Sequence, residues 1–412
     1  MNSPESPNPY AAFESRGFRF YLAGNFIATI GQQMLSLAVA WEIYRRTGSA
    51  LDLGFIGLAG ALPVIILAIP AGHLADRFSR RSILMASQLV SACASVALAC
   101  VSHAAADVRW IFLLLCVTGT ARTFGWAARG AFMVNLVPEE HFNNAVTWNS
   151  SAFETATVSG PALAGLLLVH NPYWLIYVIN AVSSIAFFLL LVPVPDSLER
   201  VTRSPGFDGL FDGLRFVFRT KIVLATITLD LFAVLFGGAT ALLPIFADRI
   251  LHVGPAGLGW LRAAPSLGAI SMAMTLAHGR PMQRPGAALL AAVTGFGLVT
   301  IVFGLSRSFP LSLAMLFLGG ACDNISVVVR HTVVQIVTPD AMRGRVSAVN
   351  NVFIGSSNEL GAFESGVTAA WFGAVISVVG GGVATILTVL LVAALWKEVP
   401  KLGPFSALHR EE

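Results

Sequence analysis

Long apolar runs separated by short polar clusters dominate the chain. A bilayer core about 30 Å thick needs roughly 20 apolar residues per helix. On that measure the pattern predicts an all-α membrane protein with twelve transmembrane helices. The predicted spans lie at approximately 20–43, 51–74, 82–102, 109–131, 146–169, 173–194, 222–247, 256–278, 287–305, 310–333, 347–370 and 375–396.

Charge density supports the same class. Of 412 residues, 56% are hydrophobic and 12% are charged, whereas soluble domains carry about 25% charged residues. The net charge of +4 comes from basic clusters between apolar runs, a pattern typical of cytoplasmic loops rather than of a phosphate-binding face. The lipid bilayer is therefore an expected partner and nucleic acid is not.

The distribution of basic residues predicts orientation. With the N-terminus inside, seventeen of the 26 Lys and Arg residues fall on the cytoplasmic side, five on the opposite side and four within spans. Because cytoplasmic loops carry an excess of Lys and Arg, we expect both termini in the cytoplasm. The polar N-terminal stretch lacks the pattern of a cleaved signal peptide.

The longest polar stretch, 195–221, falls at mid-chain and ends in a predicted interfacial amphipathic helix. We take it as a cytoplasmic linker. The predicted organisation is a cytoplasmic tail 1–19, a six-helix bundle 20–194, the linker 195–221, a second six-helix bundle 222–396 and a cytoplasmic tail 397–412.

The two halves repeat each other. An offset of 201 residues, drifting to about 205 near the start of each half, superimposes matching residues. They are Gly119 and Gly320, Arg129 and Arg330, Asn149 and Asn350, Gly160 and Gly361, Gly165 and Gly366, Gly54 and Gly259, and Asn25 and Asp230. Parallel six-span repeats related by an axis along the membrane normal are typical of one transporter architecture. The sequence thus predicts two pseudo-symmetric bundles.

The segment "GHLADRFSRRS", at 72–82, resembles the signature loop of the major facilitator superfamily. "GSALDLGFIGLAGALP" and "TPDAMRGRVSAVNN" are similar to the bacterial enterobactin-exporter and macrolide-efflux-like branch. The resemblance covers essentially the whole chain, and implies a multi-pass protein of the bacterial cytoplasmic (inner) membrane.

The resemblance implies that this loop is a gating latch, which clasps the other half when the protein is open to the outside. Gly72 permits close approach of a neighbouring helix, and Asp76 can face a helix N-terminus. Plain anchoring at lipid headgroups is the alternative, and it explains the arginines but not Gly72 and Asp76. The proposed gating residues are Gly72, Asp76, Arg77, Arg80 and Arg81.

Small residues mark spans five and eleven. Gly160, Pro161 and Gly165 resemble the antiporter motif of the same superfamily, and Gly361 repeats Gly160 in the second half. Helix packing, which small residues favour, is the alternative reading.

Charges inside spans are costly and mark functional candidates. The resemblance implies that spans one, four, seven and ten line a central cavity. An Arg122–Asp323 ion pair across that cavity is one expectation, and direct substrate contact by these residues is the other. The cavity candidates are Asp230, Arg122, Asp323, Asn25, Gln32, Gln33 and Glu154, with Glu359 and Glu364 as further carboxylates.

Asp230 has no partner evident in the sequence. A buried carboxylate without a partner resists ionisation, so Asp230 is the first candidate for proton coupling, with a hydrogen-bonded structural role as the alternative. Arg129 and Arg330 are expected to snorkel toward the cytoplasm, and Arg262 to be structural. We expect Glu42 to pair locally with Arg45 and Arg46.

No metal-ligand spacing, nucleophile motif or phosphate-binding loop occurs, so we expect no enzyme activity, cofactor or metal. The predicted function is secondary active transport, most directly proton-coupled export of a siderophore- or drug-like amphipathic molecule by a monomer. An uptake permease and a membrane-embedded ligand sensor are the alternatives. The cavity wall is expected to be mostly small and apolar.

Overall fold

The fold consists of long helices, as the sequence predicts. A computed structural model describes residues 8–195, 207–237, 239–279, 282–339 and 342–405. The helices are α1 Arg16–Thr47, α2 Ala50–Arg77, α3 Arg80–His103, α4 Val108–Val134, α5 Phe142–Leu167, α6 Tyr173–Leu191, α7 Phe207–Arg219, α8 Lys221–Phe236, the short α9 Leu243–Ile245, α10 Gly254–His278, α11 Pro285–Leu305, α12 Phe309–Val337, α13 Arg343–Phe372 and α14 Ala374–Leu395. A 3-10 turn, Ala239–Leu242, and a π-helix, Phe246–Ile250, flank α9.

Among the described residues, nine helical segments are long and apolar enough to cross a membrane, counting Lys221–Ile250 as one. Three more, α5, α10 and α13, have the necessary length with 26, 25 and 30 residues. The twelve predicted spans correspond to these twelve segments.

Short polar residues set where the first helices begin. The side chains of Ser15, Ser49 and Ser79 each accept a hydrogen bond from a backbone N–H three residues later. Such N-caps satisfy donors that the helix cannot pair itself. Helix α1 ends at Gly48 with φ of +64°, a left-handed conformation that glycine adopts without strain.

The two ends of the bundle differ in how the halves meet. We call the end where α1 begins the proximal face and the end where α1 ends the distal face. At the distal face one hydrophobic core joins both halves, with Leu37 and Ile176 packed in the same cluster as Phe246 and Leu258. At the proximal face the described cores stay within single halves. The halves therefore close on each other distally.

Two pairs of glycines bring the halves together at the distal face, where α2 packs along α13 and α5 along α10. A Cβ added to Gly165 lies 2.9 Å from the Cα of Gly259. A Cβ added to Gly54 lies 3.0 Å from the Cα of Gly366. Since the repeat pairs Gly54 with Gly259 and Gly165 with Gly366, the two contacts are pseudo-symmetric equivalents. Only glycine permits helices this close.

Helix α7 belongs to the predicted linker. It packs against α13, and Asp212 on α7 accepts a hydrogen bond from Arg345 at 3.0 Å. Residues 196–206 of the linker lie outside the described part of the chain.

Candidate functional site: a cavity between the halves

A cavity of about 310 Å³ lies between the two halves. Its wall is formed by α1, α2, α4, α10 and α13, together with the turn before α9. Nine of its twenty lining residues are polar: Gln32, Gln33, Ser36, Thr118, Arg122, Thr240, Arg262, Asn358 and Glu359. The expectation of a mostly small and apolar wall therefore misses three charged side chains.

Arg122 from one half pairs with Glu359 from the other. Arg122 Nη2 lies 2.8 Å from Glu359 Oε1, and both side chains line the cavity. The predicted Arg122–Asp323 ion pair is wrong. Asp323 faces its own half, where it lines a separate small cavity with Asp230. Equivalent positions in the two halves thus do not meet across the cavity, and α13 supplies the counter-charge instead.

Arg262 adds a second guanidinium to the wall. Its Nη2 donates to the Ser36 hydroxyl at 2.9 Å, which joins α10 to α1 across the halves. The Glu359 carboxylate lies within electrostatic reach of Arg262, although it is bonded to Arg122. The arginine predicted to be structural thus lines the candidate site.

The second half buries a cluster of two carboxylates and one arginine. Asp230 Oδ2 lies 2.7 Å from Arg330 Nη1, and the two side chains are 6% and 3% exposed. Asp323 lies close enough to interact electrostatically with both. Asp230 and Asp323 line a cavity of about 10 Å³, close to the space that one water molecule requires. Asp230 therefore has a partner, and Arg330 does not snorkel.

The equivalent positions in the first half carry no carboxylate. Asn25 Nδ2 donates to Asn149 Oδ1 at 3.2 Å. Arg129 lies over the ring of Phe187, with the guanidinium carbon 5.8 Å from the ring centroid, and near Tyr21. In the part of the chain that the structure describes, no ion pair of Arg129 occurs, and its Nε lacks a hydrogen-bond partner.

The structure separates the predicted cavity residues into two groups. Gln32, Gln33 and Arg122 line the large cavity. The large cavity is not lined by Asn25, Asp230, Asp323 or Glu154. Asn25 bonds a residue of its own half, and Asp230 and Asp323 lie in the buried cluster of the second half. Sequence reasoning gave too little weight to Glu359 and Arg262, because nothing along the chain shows that α13 and α10 reach this cavity.

Of the two arginines expected to pair with Glu42, Arg46 does so, whereas Arg45 pairs with Asp248 of the other half. The Glu42 carboxylate lies 2.5 Å from Arg46 Nη2 and accepts hydrogen bonds from Ser102 and Tyr177. Since this network is buried within the first half and away from the large cavity, it holds α1 against α3 and α6.

The predicted gating loop is tied to its own half. Arg81 Nε donates to the carbonyl of Leu191, at the end of α6, at 3.0 Å. Arg77 is exposed, while Arg80 lies at the start of α3. A Cβ on Gly72 meets no atom of the described residues within 4 Å, so no described helix packs on it. The Asp76 side chain lies outside the described part of the chain. The latch stays a prediction.

The predicted small-residue positions all lie at close helix contacts. A Cβ on Gly160 is 2.6 Å from the Cβ of Gln33 on α1, and one on Gly361 is 2.8 Å from the carbonyl oxygen of Val234 on α8. The Pro161 carbonyl faces Gly259. Packing accounts for these contacts, and the antiporter role of Gly160, Pro161 and Gly165 stays a prediction.

Comparison with solved structures supports the fold. A bacterial homologue of the human lysosomal transporter Spinster, in an inward-facing and unoccupied conformation, superposes with a TM-score of 0.73 at 16% identity, covering 96% of this chain and 98% of that one. A POT family transporter in complex with a thioalcohol-conjugated peptide gives a TM-score of 0.75 at 12% identity, with 93% and 96% covered. At these identities the likeness concerns the fold alone.

Sequence relatives and a family model identify the chain. The multidrug efflux pump Tap of Mycolicibacterium fortuitum is 26% identical, covering 83% of this chain and 86% of Tap. The enterobactin exporter EntS of Shigella flexneri is 27% identical, with 81% and 80% covered. The MFS-type transporter YfiS of Bacillus subtilis is 26% identical, with 87% and 88% covered. The model of the transmembrane secretion effector family matches residues 7–405, so this chain belongs to that family of the major facilitator superfamily and is a multi-pass membrane transporter rather than an enzyme.

Proposed function

We propose that the chain is a proton-coupled exporter, which carries a siderophore- or drug-like amphipathic molecule across the bacterial cytoplasmic membrane by alternating access. The observation that carries this proposal is the polar cavity between the halves, closed at the distal face by the paired glycines. A binding cavity on the axis between two rocking bundles is exposed to one side at a time. The transporter acts as a monomer in this proposal, since each chain holds a whole cavity.

The proposed orientation in the membrane rests on the charge bias. Seventeen basic residues against five support a cytoplasmic location for the proximal face and both termini. The structure is then an inward-open state, in which an exporter loads its substrate. The similarity to EntS, an enterobactin exporter, and to Tap, a multidrug efflux pump, supports export and the substrate class.

Proton coupling is assigned to the buried cluster of the second half. Asp230 and Asp323 share one guanidinium, Arg330. Because an uncompensated charge in a buried site is costly, one proton on this pair of carboxylates makes the cluster neutral. Uptake and release of that proton would bias the two conformations of the transporter, which is the requirement for coupling.

The test measures substrate accumulation in energised everted membrane vesicles over a panel of siderophores and lipophilic drugs. Wild type is compared with Asp230→Asn, and with Asp212→Asn as a matched control that makes the same change on the exposed face of α7. We expect accumulation that a protonophore abolishes, a loss of at least about tenfold in Asp230→Asn, and normal transport by the control.

Other outcomes contradict separate parts of the proposal. Accumulation in right-side-out vesicles alone identifies an uptake permease. Export that survives both the protonophore and Asp230→Asn means that the cluster has a structural role. Ligand binding with no accumulation in either vesicle type indicates a sensor.

A further inference from the structure

The large cavity has more positive than negative charge. Its described lining includes two guanidiniums, Arg122 and Arg262, and one carboxylate, Glu359. Arg122 is bonded to Glu359 at 2.8 Å, whereas Arg262 has a neutral partner, the Ser36 hydroxyl. The formal charge of the lining is therefore +1, and among the described lining residues Arg262 is the guanidinium that no carboxylate bonds.

The Glu359 carboxylate fits into the space beside Gly60, which has no side chain. A Cβ added to Gly60 would lie 2.9 Å from Glu359 Oε2 and 3.1 Å from the carboxylate carbon. The carboxylate thus occupies a slot that glycine leaves open on α2, and from this slot it bonds Arg122. A second carboxylate, supplied by a ligand, can bind Arg262 without displacing it.

We infer that the cavity binds an organic anion, and that Arg262 binds the ligand's carboxylate. A guanidinium forms charge-assisted, bidentate bonds to carboxylates, and these are stronger in a poorly hydrated site. A cationic ligand would face Arg262 and compete with Arg122 for Glu359. Gln32, Gln33 and Asn358 offer further hydrogen bonds, and about 310 Å³ lies at the small end of ligand sites. This inference rests on the proposed function, and names the charge of its substrate.

The experiment uses three ligands of the same shape and different charge: 2-naphthoate, 2-naphthamide and 2-naphthylmethylammonium. Binding to the purified full-length protein in detergent is measured by equilibrium dialysis against protein-free micelles. We expect 2-naphthoate to bind wild type at least about tenfold more tightly than the amide, since hydrogen bonds to charged groups are the stronger ones, and the ammonium ion to bind most weakly.

Four variants locate the effect. Arg262→Gln should remove the preference for 2-naphthoate, and Arg262→Lys should retain most of it. Glu359→Gln should strengthen it, and gives a second readout should Arg262→Gln fail to fold. Arg109→Gln removes an exposed arginine away from the cavity and should change nothing.

Equal affinity for the three ligands, tighter binding of the ammonium ion, or no binding of 2-naphthoate would overturn the inference. Failure of the proposed function gives a different result. Anion binding without accumulation in vesicles would refute export and leave the inference standing. Proton-driven export without a preference for anions would refute the inference and leave the proposed function standing.

Discussion

Two equivalent regions of the halves have different chemistry. In the second half, Asp230 and Arg330 form a buried ion pair beside Asp323. In the first half, Asn25 at the matching position bonds Asn149, and Arg129 lies over an aromatic ring. Both halves keep the arginine, and one half alone carries carboxylates at these positions. The duplicated helices are therefore arranged symmetrically, while the buried carboxylates at these positions occur in the second half alone.

The largest effect is expected when the arginine is removed from the charged cluster. Arg330→Gln leaves Asp230 and Asp323 without a cation, and breaking a buried ion pair costs about 3–5 kcal/mol. Arg129→Gln should cost less, because no carboxylate loses its partner there. The measurement is the thermal unfolding of both variants in detergent.

A second substitution separates charge from packing at this site. Adding Asp230→Asn to Arg330→Gln should recover part of the lost stability, because one unpaired carboxylate disappears. Equal losses for Arg330→Gln and Arg129→Gln, with no recovery in the double variant, would mean that the two clusters do not differ energetically.

The distal glycines should respond alike in both halves, in contrast to the clusters. Gly165→Leu and Gly366→Leu each force a side chain into a backbone contact, and overpacking costs about 1–3 kcal/mol. This cost falls on the closed distal face, so the population shifts toward the distal-open state. The reporter is Ala40→Cys in the cavity wall, introduced into a variant from which the four native cysteines have been removed. The measurement is the rate at which an impermeant maleimide, added from the distal side, labels this cysteine.

Increased labelling in both variants is the expected result. A Gly380→Leu variant is the control, since Gly380 is an exposed residue of α14 at which an added Cβ meets no described atom within 4 Å. Increased labelling in one glycine variant and not in the other would show that the two contacts, although equivalent in the repeat, do not both stabilise the closed distal face.

The reverse substitution in the first half should have a smaller effect. Asn25→Asp introduces a carboxylate at the position that matches Asp230, and the repeat then makes Arg129, the equivalent of Arg330, its expected partner. We expect a gain of about 1 kcal/mol, because a charge-assisted hydrogen bond to the guanidinium more than offsets the cost of desolvating the new carboxylate. The unfolding temperature measures it, with Asn25→Leu as the uncharged control. A lower unfolding temperature for Asn25→Asp than for Asn25→Leu would contradict the predicted pairing.

Much of the fold could be predicted because its signals are local or periodic. Apolar runs of span length predicted the helices, and the offset of 201 predicted which residues are equivalent. The distal contacts between Gly54 and Gly366, and between Gly165 and Gly259, follow the same equivalence. Each of these features depends on spacing along the chain.

The candidate site was harder to predict, since ion pairs depend on which faces the helices present. Arg122 and Asp323 are equivalent in the repeat, and this equivalence wrongly predicted a pair. Arg122 instead meets Glu359 from α13, a contact between positions that the repeat does not relate. Arg330 lies 100 residues from Asp230 in the sequence, and only the packing of α8 against α12 brings them together.

The smallest effect is expected at the exposed ion pair between the halves. Arg45 Nη1 lies 2.9 Å from Asp248 Oδ1, with side chains 51% and 26% exposed, and exposed pairs contribute about 0–1 kcal/mol. Asp248→Asn should therefore change the unfolding temperature little, and the small change should vanish at high salt, which screens exposed charges. Unfolding of wild type and variant at low and high salt measures both. A salt-independent loss as large as that of Arg330→Gln would mean that burial is not what distinguishes the charged cluster, and the contrast between the halves would need another physical cause.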